Sequence, residues 1–451
     1  MADVNDASDA KGAGLLPLVC RLCGEERAPA LTSICSNCLG PLEVDYRCRT
    51  LAPTRQQIES RPHSLWRYRE FLPLVGEPTL SLDVGFTPLV EAPRLARQLG
   101  VQRLWIKNEA VSNPSLSFKD RVVATAINAA AALGVKTIGC ASTGNLANAV
   151  AAQAARAGLD AWIFIPHDLE LAKVVGTAVY GSRLVRVRGS YDDVNRLCTQ
   201  LADEYDWGLV NVNLRSYYGE GSKTMAHEIA EQLGWRLPTA VVAPMAGGSL
   251  VAKLKTGFTE LIRAGLVEGK LPRLYGTQAA GCAPISDLVE SGSDEIRPVI
   301  PRTIARSLAI GNPADGLFAA AAMRETGGWT AQVTDEALVR GIRLLAETTG
   351  IFTETAGGVT VAGAAALVSA GRIGVRDEVV LCITGNGLKT VEALEGALAD
   401  SPVVAPRLAE VERLVDQIRR KAFSTAASVV STSISEWASE TNAASNWEGG
   451  K

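Results

Sequence analysis

Histidine is scarce in this sequence: His63, His167 and His227 are all that 451 residues contain. None falls in the loops that carry the strongest motifs, which argues against acid-base chemistry built on imidazole. His167, just after Pro166 at a strand end, is the exception to keep in view. Long apolar runs are also lacking. No stretch approaches the ~18 residues that a membrane span needs, so no membrane association is expected. The start, Met1 to Gly14, carries Asp3, Asp6 and Asp9 with a single lysine. It has neither the basic opening nor the apolar stretch of a secretion signal, and a cytoplasmic location is expected. A surplus of positive charge is absent as well: 45 Lys and Arg against 48 Asp and Glu leave −3. That excludes nucleic-acid binding through bulk charge.

Cysteine is grouped. Of nine, four form two CxxC pairs, Cys20/Cys23 and Cys35/Cys38, within CRLCGEERAPALTSICSNCLG at 20–40. In a reducing compartment such spacing favours metal over disulfide. Four thiolates at tetrahedral corners make a structural zinc ribbon, with Gly24 and Gly40 allowing the tight turns. The alternatives are a degenerate ribbon without metal, or four reduced thiols. Cys140 and Cys382 lie in apolar strand-like runs and read as core.

From about residue 100, short apolar runs alternate with helical periodicity. Leu104–Ile106, Thr137–Cys140, Trp162–Ile165, Leu184–Val187, Leu209–Val212, Ala240–Ala243 and Val379–Ile383 read as strands. Lys119 to Gly134 and Leu146 to Arg156 read as helices, the second stopped by Gly158. This pattern predicts an α/β fold with parallel-rich sheets covered by helices, and ligands bound beyond the strands' carboxyl ends. The expected divisions are 1–50, 51–402 (two α/β subdomains) and a tail, 403–451. In the tail, Pro406 opens a helix over Arg407 to Lys421 that packs on the body or a partner, followed by a Ser/Ala-rich stretch.

Four loops carry the chemistry. KNEAVSNPSLSFKDR at 107–121 puts Lys119 at the mouth of a Ser/Asn-rich loop and the start of a helix. Pyridoxal phosphate (PLP) chemistry needs such an amine, to hold the cofactor aldehyde and later to move protons. A surface Lys–Asp pair at a helix start is the plainer reading; the SFKDR pattern turns it toward the cofactor. Ala141–Asn145, ASTGN, precedes an Ala-rich helix whose free amides suit a carboxylate, or form an ordinary capping turn. Ala243 to Leu250 offers consecutive glycines and a serine for a phosphate, a weak signal strengthened by its place after a strand. Thr384 to Lys389, TGNGLK, follows the last strand. A threonine hydroxyl beside a pyridine nitrogen suits elimination and replacement chemistry better than transamination.

In this order the loops resemble the fold-type II PLP enzymes, of the tryptophan synthase β type, and among them the threonine synthases. The resemblance spans roughly 80 to 395 and rests on NPSLSFKDR, ASTGN, EGSKT (220–224), TIARSLAIGNP (303–313), GIFTET (350–355) and TGNGLK. It implies that Lys119 is joined to PLP, with Phe118 against the ring and Asn145 on the ring oxygen. Gly247, Gly248, Ser249 and Leu250 would hold the cofactor phosphate, and Thr384 would face the ring nitrogen. Ser142, Thr143 and Gly144 would take the substrate carboxylate, and Lys223 with Arg215 the substrate phosphate. The reaction implied converts O-phosphohomoserine and water to threonine and phosphate in a homodimer. The rivals are a cysteate synthase, a threonine dehydratase, or a non-catalytic ribbon adaptor. The sequence departs from the family pattern at Leu116, Met245, Ala246, Ala309 and Glu354 to Gly357.

Overall fold

A computed structural model describes residues 14–47, 49, 53–80, 83–398 and 401–426, with the side chains of 421–426 excepted. Cys48, most of the leader and most of the Ser/Ala-rich tail lie outside the described residues.

Three sheets organise the chain. The first is a small antiparallel one, with β1 (Leu18–Cys20) between β2 (Glu26–Arg27) and β3 (Leu42–Val44). The second has six strands. β10 (Ala240–Pro244) pairs in parallel with β11 (Arg273–Ala279) and with β13 (Glu378–Ile383). β11 is flanked by β12 (Thr330–Val333). β13 is flanked by β5 (Arg103–Asn108), and β4 (Leu89–Glu91) closes that edge antiparallel. The third sheet is parallel, in the order β8 (Arg183–Val187), β7 (Asp160–Pro166), β6 (Thr137–Ala141), β9 (Gly208–Leu209). The central strands AVVAP and EVVLCI are almost wholly buried, as a parallel sheet covered by helices on both faces requires. Cys140 and Cys382 are core residues.

Helices follow the strands with the expected punctuation. Lys119–Ala132 starts with Asp120 in its first turn. Asn145–Ala157 ends at Gly158, whose φ of 66° only glycine adopts at little cost. One expectation needs correction. The run Leu209–Val212 does not continue as a strand, because side-chain carbonyls replace the ladder. Asn211 Oδ1 accepts from the Ala141 amide (3.1 Å) and Asn213 Oδ1 from the Leu209 amide (2.8 Å). The C-terminal helix forms over Leu408–Ala426 with Leu408, Val411, Val415 and Ile418 exposed, so of the two expected placements the one on the body is not seen and the one on a partner is left open. β4, β11 and β12 escaped the sequence reading; the apolar run of β11 is broken by Gly276 and Thr277. None of the helices among the described residues is long and apolar enough to cross a membrane.

Candidate active site

The carboxyl ends of β6, β10 and β13 converge on one cavity of about 200 Å³ between the two larger sheets. Phe118, Lys119, Ser142, Thr143, Asn145, Arg215, the Gly247–Leu250 turn and Thr384 all line it. Gly144 and Lys223 do not.

Lys119 is held by its neighbours on both sides. The Phe118 amide donates to the Thr384 carbonyl (3.0 Å), tying the lysine loop to the end of β13. Asp120 accepts from the Ser115 amide (3.0 Å) and hydroxyl (2.7 Å), which closes the loop around the helix start. The Lys119 Nζ donates to Tyr218 Oη at 2.8 Å and lies 4.7 Å from the Phe118 ring centre. Burial lowers its pKa to about 8, against the opposing pull of Glu354 and Asp315. A lysine at about 8 has a sizeable neutral fraction near neutrality, which an unperturbed one lacks.

Leu116 adopts φ 59°, in the left-handed region where the family pattern has glycine. Its amide and carbonyl are nevertheless bonded, to Ser112 O (2.8 Å) and from the Asn386 amide (3.1 Å).

The turn after β10 is built for close approach. Gly248 has φ 92°, and a Cβ there would sit 2.8 Å from the Asp315 carbonyl. A Cβ on Gly247 would meet nothing nearer than Ile310 at 4.0 Å, so its absence leaves the cavity open at that point. The helix Ser249–Arg263 then begins with its free amides at the cavity. Met245 leaves the turn unobstructed: its side chain is buried against Gly276, whose missing Cβ would lie 2.2 Å from the sulfur.

Asn145 opens the helix after β6. Its Nδ2 donates to both carboxylate oxygens of Glu354 (2.8 and 2.9 Å), and its Oδ1 accepts from Lys389 Nζ (3.2 Å). Burial lowers Lys389 to about 8, while Glu354 and Asp120 pull upward. Gly385 makes room for this arrangement, since a Cβ there would lie 2.4 Å from Glu354 Oε1. Gly144 has φ 130° and is packed on Lys173; its amide donates to Ser142 Oγ (2.9 Å). It shapes the loop from outside the cavity.

Lys223 is not brought to the cavity in this structure. It is fully buried, paired with Glu220 (2.7 Å) and Glu260 (2.6 Å), and lies over the Tyr46 ring at 3.8 Å. Burial raises the Glu220 pKa, but Lys223 and Lys253 outweigh it and hold the group at about 2. Its neighbour Ser222 faces the cavity instead. Arg215 does face the cavity and pairs with Asp315 at 2.6 Å.

Tyr218 and Asp315 are not among the sequence candidates, and Glu354 and Lys389 appear there only as parts of motif segments, with no role. Glu354 and Lys389 lie inside GIFTET and TGNGLK, and Tyr218 stands two residues before EGSKT, so the segments pointed to the region without naming them.

At the ribbon, the sulfurs of Cys20, Cys23, Cys35 and Cys38 lie within 4.8 Å of one another. Cys20 and Cys38 are 3.4 Å apart, Cys23 and Cys35 3.7 Å. A tetrahedron with ~2.3 Å arms has edges of about 3.8 Å, so the set fits a four-thiolate metal. The Leu22 amide donates to Cys20 Sγ (3.4 Å), and Gly40 leaves room beside that sulfur.

The family profile of pyridoxal-phosphate dependent enzymes matches residues 80–385. The chain is 35% identical to threonine synthase of Methanosarcina acetivorans over 410 residues, 90% of this chain and 98% of that one. It is 36% identical to threonine synthase of Methanocaldococcus jannaschii, covering 79% of this chain and 88% of that one. The chain belongs to the threonine synthase family of PLP-dependent enzymes. Among solved structures it is similar to diaminopropionate ammonia lyase of Escherichia coli (TM-score 0.60, 20% identity, 76% of this chain and 91% of that one). Threonine deaminase isoform 2 of Solanum lycopersicum gives 0.57 at 22% identity, over 69% of this chain and 83% of that one. At such identities these two speak for the fold-type II architecture alone. The residues fit the family's cofactor: a depressed-pKa lysine, a glycine turn at a helix start and a serine share one cavity.

Proposed function

We propose that the cavity converts O-phosphohomoserine and water to threonine and phosphate, with Lys119 as the amine that holds PLP. The observation that carries this reading is the buried Lys119 amine in one cavity with the Gly247–Ser249 turn and Asn145. PLP, when bound, supplies an electron sink that makes the substrate's α-proton acidic.

The chain supplies the rest. The amides and hydroxyl of Gly248–Leu250 would receive the cofactor phosphate, where the helix dipole favours an anion. Asn145, fixed between Glu354 and Lys389, would donate to the ring oxygen, and Thr384 would meet the ring nitrogen. Ser142 and Thr143, at the start of the Asn145–Ala157 helix, would hold the substrate carboxylate. Lys119, once free, moves protons at the substrate carbons. Arg215 is the cation facing the cavity that would recognise the substrate phosphate, exchanging its Asp315 partner for the dianion. Lys223 has no part in this.

Incubating the protein with O-phosphohomoserine and assaying both products tests the reading. Equal amounts of phosphate and threonine are expected. Phosphate without threonine contradicts it, and points to a lyase ending in a keto acid. The ribbon is read as a structural zinc site of Cys20, Cys23, Cys35 and Cys38, with about one zinc per chain expected by elemental analysis. Paired CxxC spacing that holds metal suits a reducing cytoplasm, the location read here. A homodimer is expected by light scattering.

A further inference from the structure

The mechanism above gives Lys119 several proton transfers and no partner. The structure provides a candidate. Tyr218 closes the short helix Arg215–Tyr218, lines the cavity and is buried. Its hydroxyl accepts from Lys119 Nζ at 2.8 Å and makes no other hydrogen bond among the described residues. The amine lies 4.7 Å from the Phe118 ring centre and, at the hydroxyl edge of Tyr218, 5.6 Å from that ring's centre. The tyrosine is itself well anchored. The adjacent Tyr217 hydroxyl accepts from the Ala30 amide (3.1 Å), and the Tyr218 amide donates to Leu214 O (2.9 Å).

We infer that Tyr218 is a positioning residue that fixes the Lys119 amine and favours its protonated form. The inference rests on Lys119 being the reacting amine. A neutral amine has two N–H groups and one lone pair. In the neutral amine the phenol O–H meets the lone pair, and in the cation an N–H meets Oη, so in both states the bond fixes the nitrogen 2.8 Å from the hydroxyl. When the amine takes a proton from the substrate α-carbon, the bonding pair stays with the carbon and the proton becomes a third N–H. The bond to Oη is then charge-assisted and stronger. The Phe118 ring attracts the cation as well.

This acts against burial, which lowers the amine's pKa. The other charged or titratable groups around the cavity are Glu354, Asp315 paired with Arg215, Asp192 and Tyr191, with Lys389 behind Asn145. Glu354 and Asp315 favour the cation too. Burial pushes the Tyr218 hydroxyl well above the usual phenol range, so it stays protonated throughout.

Tyr218→Phe in the full-length protein tests the inference. It keeps the ring and removes the acceptor. In PLP-free protein, competitive acylation of Lys119 at neutral pH, read by peptide mass spectrometry, should rise about threefold, as a pKa lower by half a unit implies. In the PLP-loaded protein kcat should fall about tenfold or more, with KM within about twofold. Unchanged acylation together with unchanged kcat overturns the inference. If the variant does not fold, 3-fluorotyrosine at position 218 keeps the shape and weakens the acceptor; its Lys119 acylation should also rise, and an unchanged value overturns the proposal. Lys119→Ala separates the two levels. Retained turnover there defeats the reading of the site, whereas loss there with parent-like Tyr218→Phe defeats only the role of Tyr218.

Discussion

At the scale of single residues, the lysine is made reactive by its surroundings. Lys119 is lowered to about 8 by burial, so its neutral fraction grows as pH rises through that value. Only the neutral amine attacks the PLP aldehyde. The rate of PLP uptake by PLP-free protein, followed by visible absorbance, should therefore climb between about pH 7 and 9 and then level off. A flat profile across that window would contradict the assignment. Leu116 offers a second check. It holds a left-handed φ of 59° that costs an L-residue ~1–2 kcal/mol relative to glycine. Part of that gain is offset by the greater freedom of unfolded glycine. Leu116→Gly should raise stability by ~0.5–1 kcal/mol in a denaturant titration, with m unchanged.

The residues that could be read from sequence were those whose role is local. Lys119, Asn145 and the Gly247–Ser249 turn each sit where a strand-like run gives way to helical periodicity, so position along the chain indicates position in space. Lys223 shows the opposite case. EGSKT marks its neighbourhood correctly, but only the fold reveals Glu260 beside it, 37 residues away in sequence. Tyr218 meets Lys119 across 99 residues, and Glu354 meets Asn145 across 209. No spacing rule reaches that far, and neither residue type is distinctive by itself.

At the scale of elements, a buried ion cluster ties the lysine helix to the main sheet. Arg121, in the first turn of the Lys119–Ala132 helix, bonds Glu109 (2.7 and 2.8 Å) and Glu228 (2.7 Å). Lys107 on β5 reaches Glu228 at 2.6 Å. All four side chains are fully buried, and two cations face two carboxylates. Removing one member leaves an uncompensated charge, which costs roughly 3–5 kcal/mol. Glu228→Gln should lower stability by about that amount. The same group predicts acid behaviour. Burial raises the Glu228 pKa, but Arg121 and Lys107 outweigh it and hold the group at about 2. A carboxylate depressed in the fold contributes stability that is complete above its unfolded pKa of about 4.5. That stability is lost as pH falls toward 2. The parent should lose stability across this window more steeply than Glu228→Gln, as urea titrations at several pH values will show. The strands around this cluster were mostly legible because their apolar runs are continuous. β9 was read too long, since Asn211 and Asn213 take over the bonds a ladder would make.

At the scale of the molecule, the ribbon is attached to the part of the chain that feeds the cavity. Ser33 Oγ donates to Val212 O (2.6 Å), Ser216 Oγ to Leu42 O (2.7 Å), and Tyr46 Oη to Glu220 (2.7 Å). These contacts bracket Arg215 and Tyr218. With zinc on the four cysteines, as proposed, stripping it should therefore loosen residues 212–220. Amide hydrogen exchange in that segment is expected to accelerate on chelation, while exchange in β10 and β13 stays slow. Equal protection with and without chelator would mean that the ribbon and the site are independent. The helix-covered parallel strands of the two larger sheets were legible from the alternation of strand and helix; the attachment of the ribbon was not, because it rests on side-chain contacts between distant segments.

The central claim is that the Lys119 amine holds the cofactor. Hydride reduction of the PLP-loaded protein, followed by peptide mass spectrometry, tests it most directly. The phosphopyridoxyl mass is expected on the peptide carrying Lys119, at that residue. The same mass on Lys389, Lys173 or any other lysine, with Lys119 unmodified, would contradict the account.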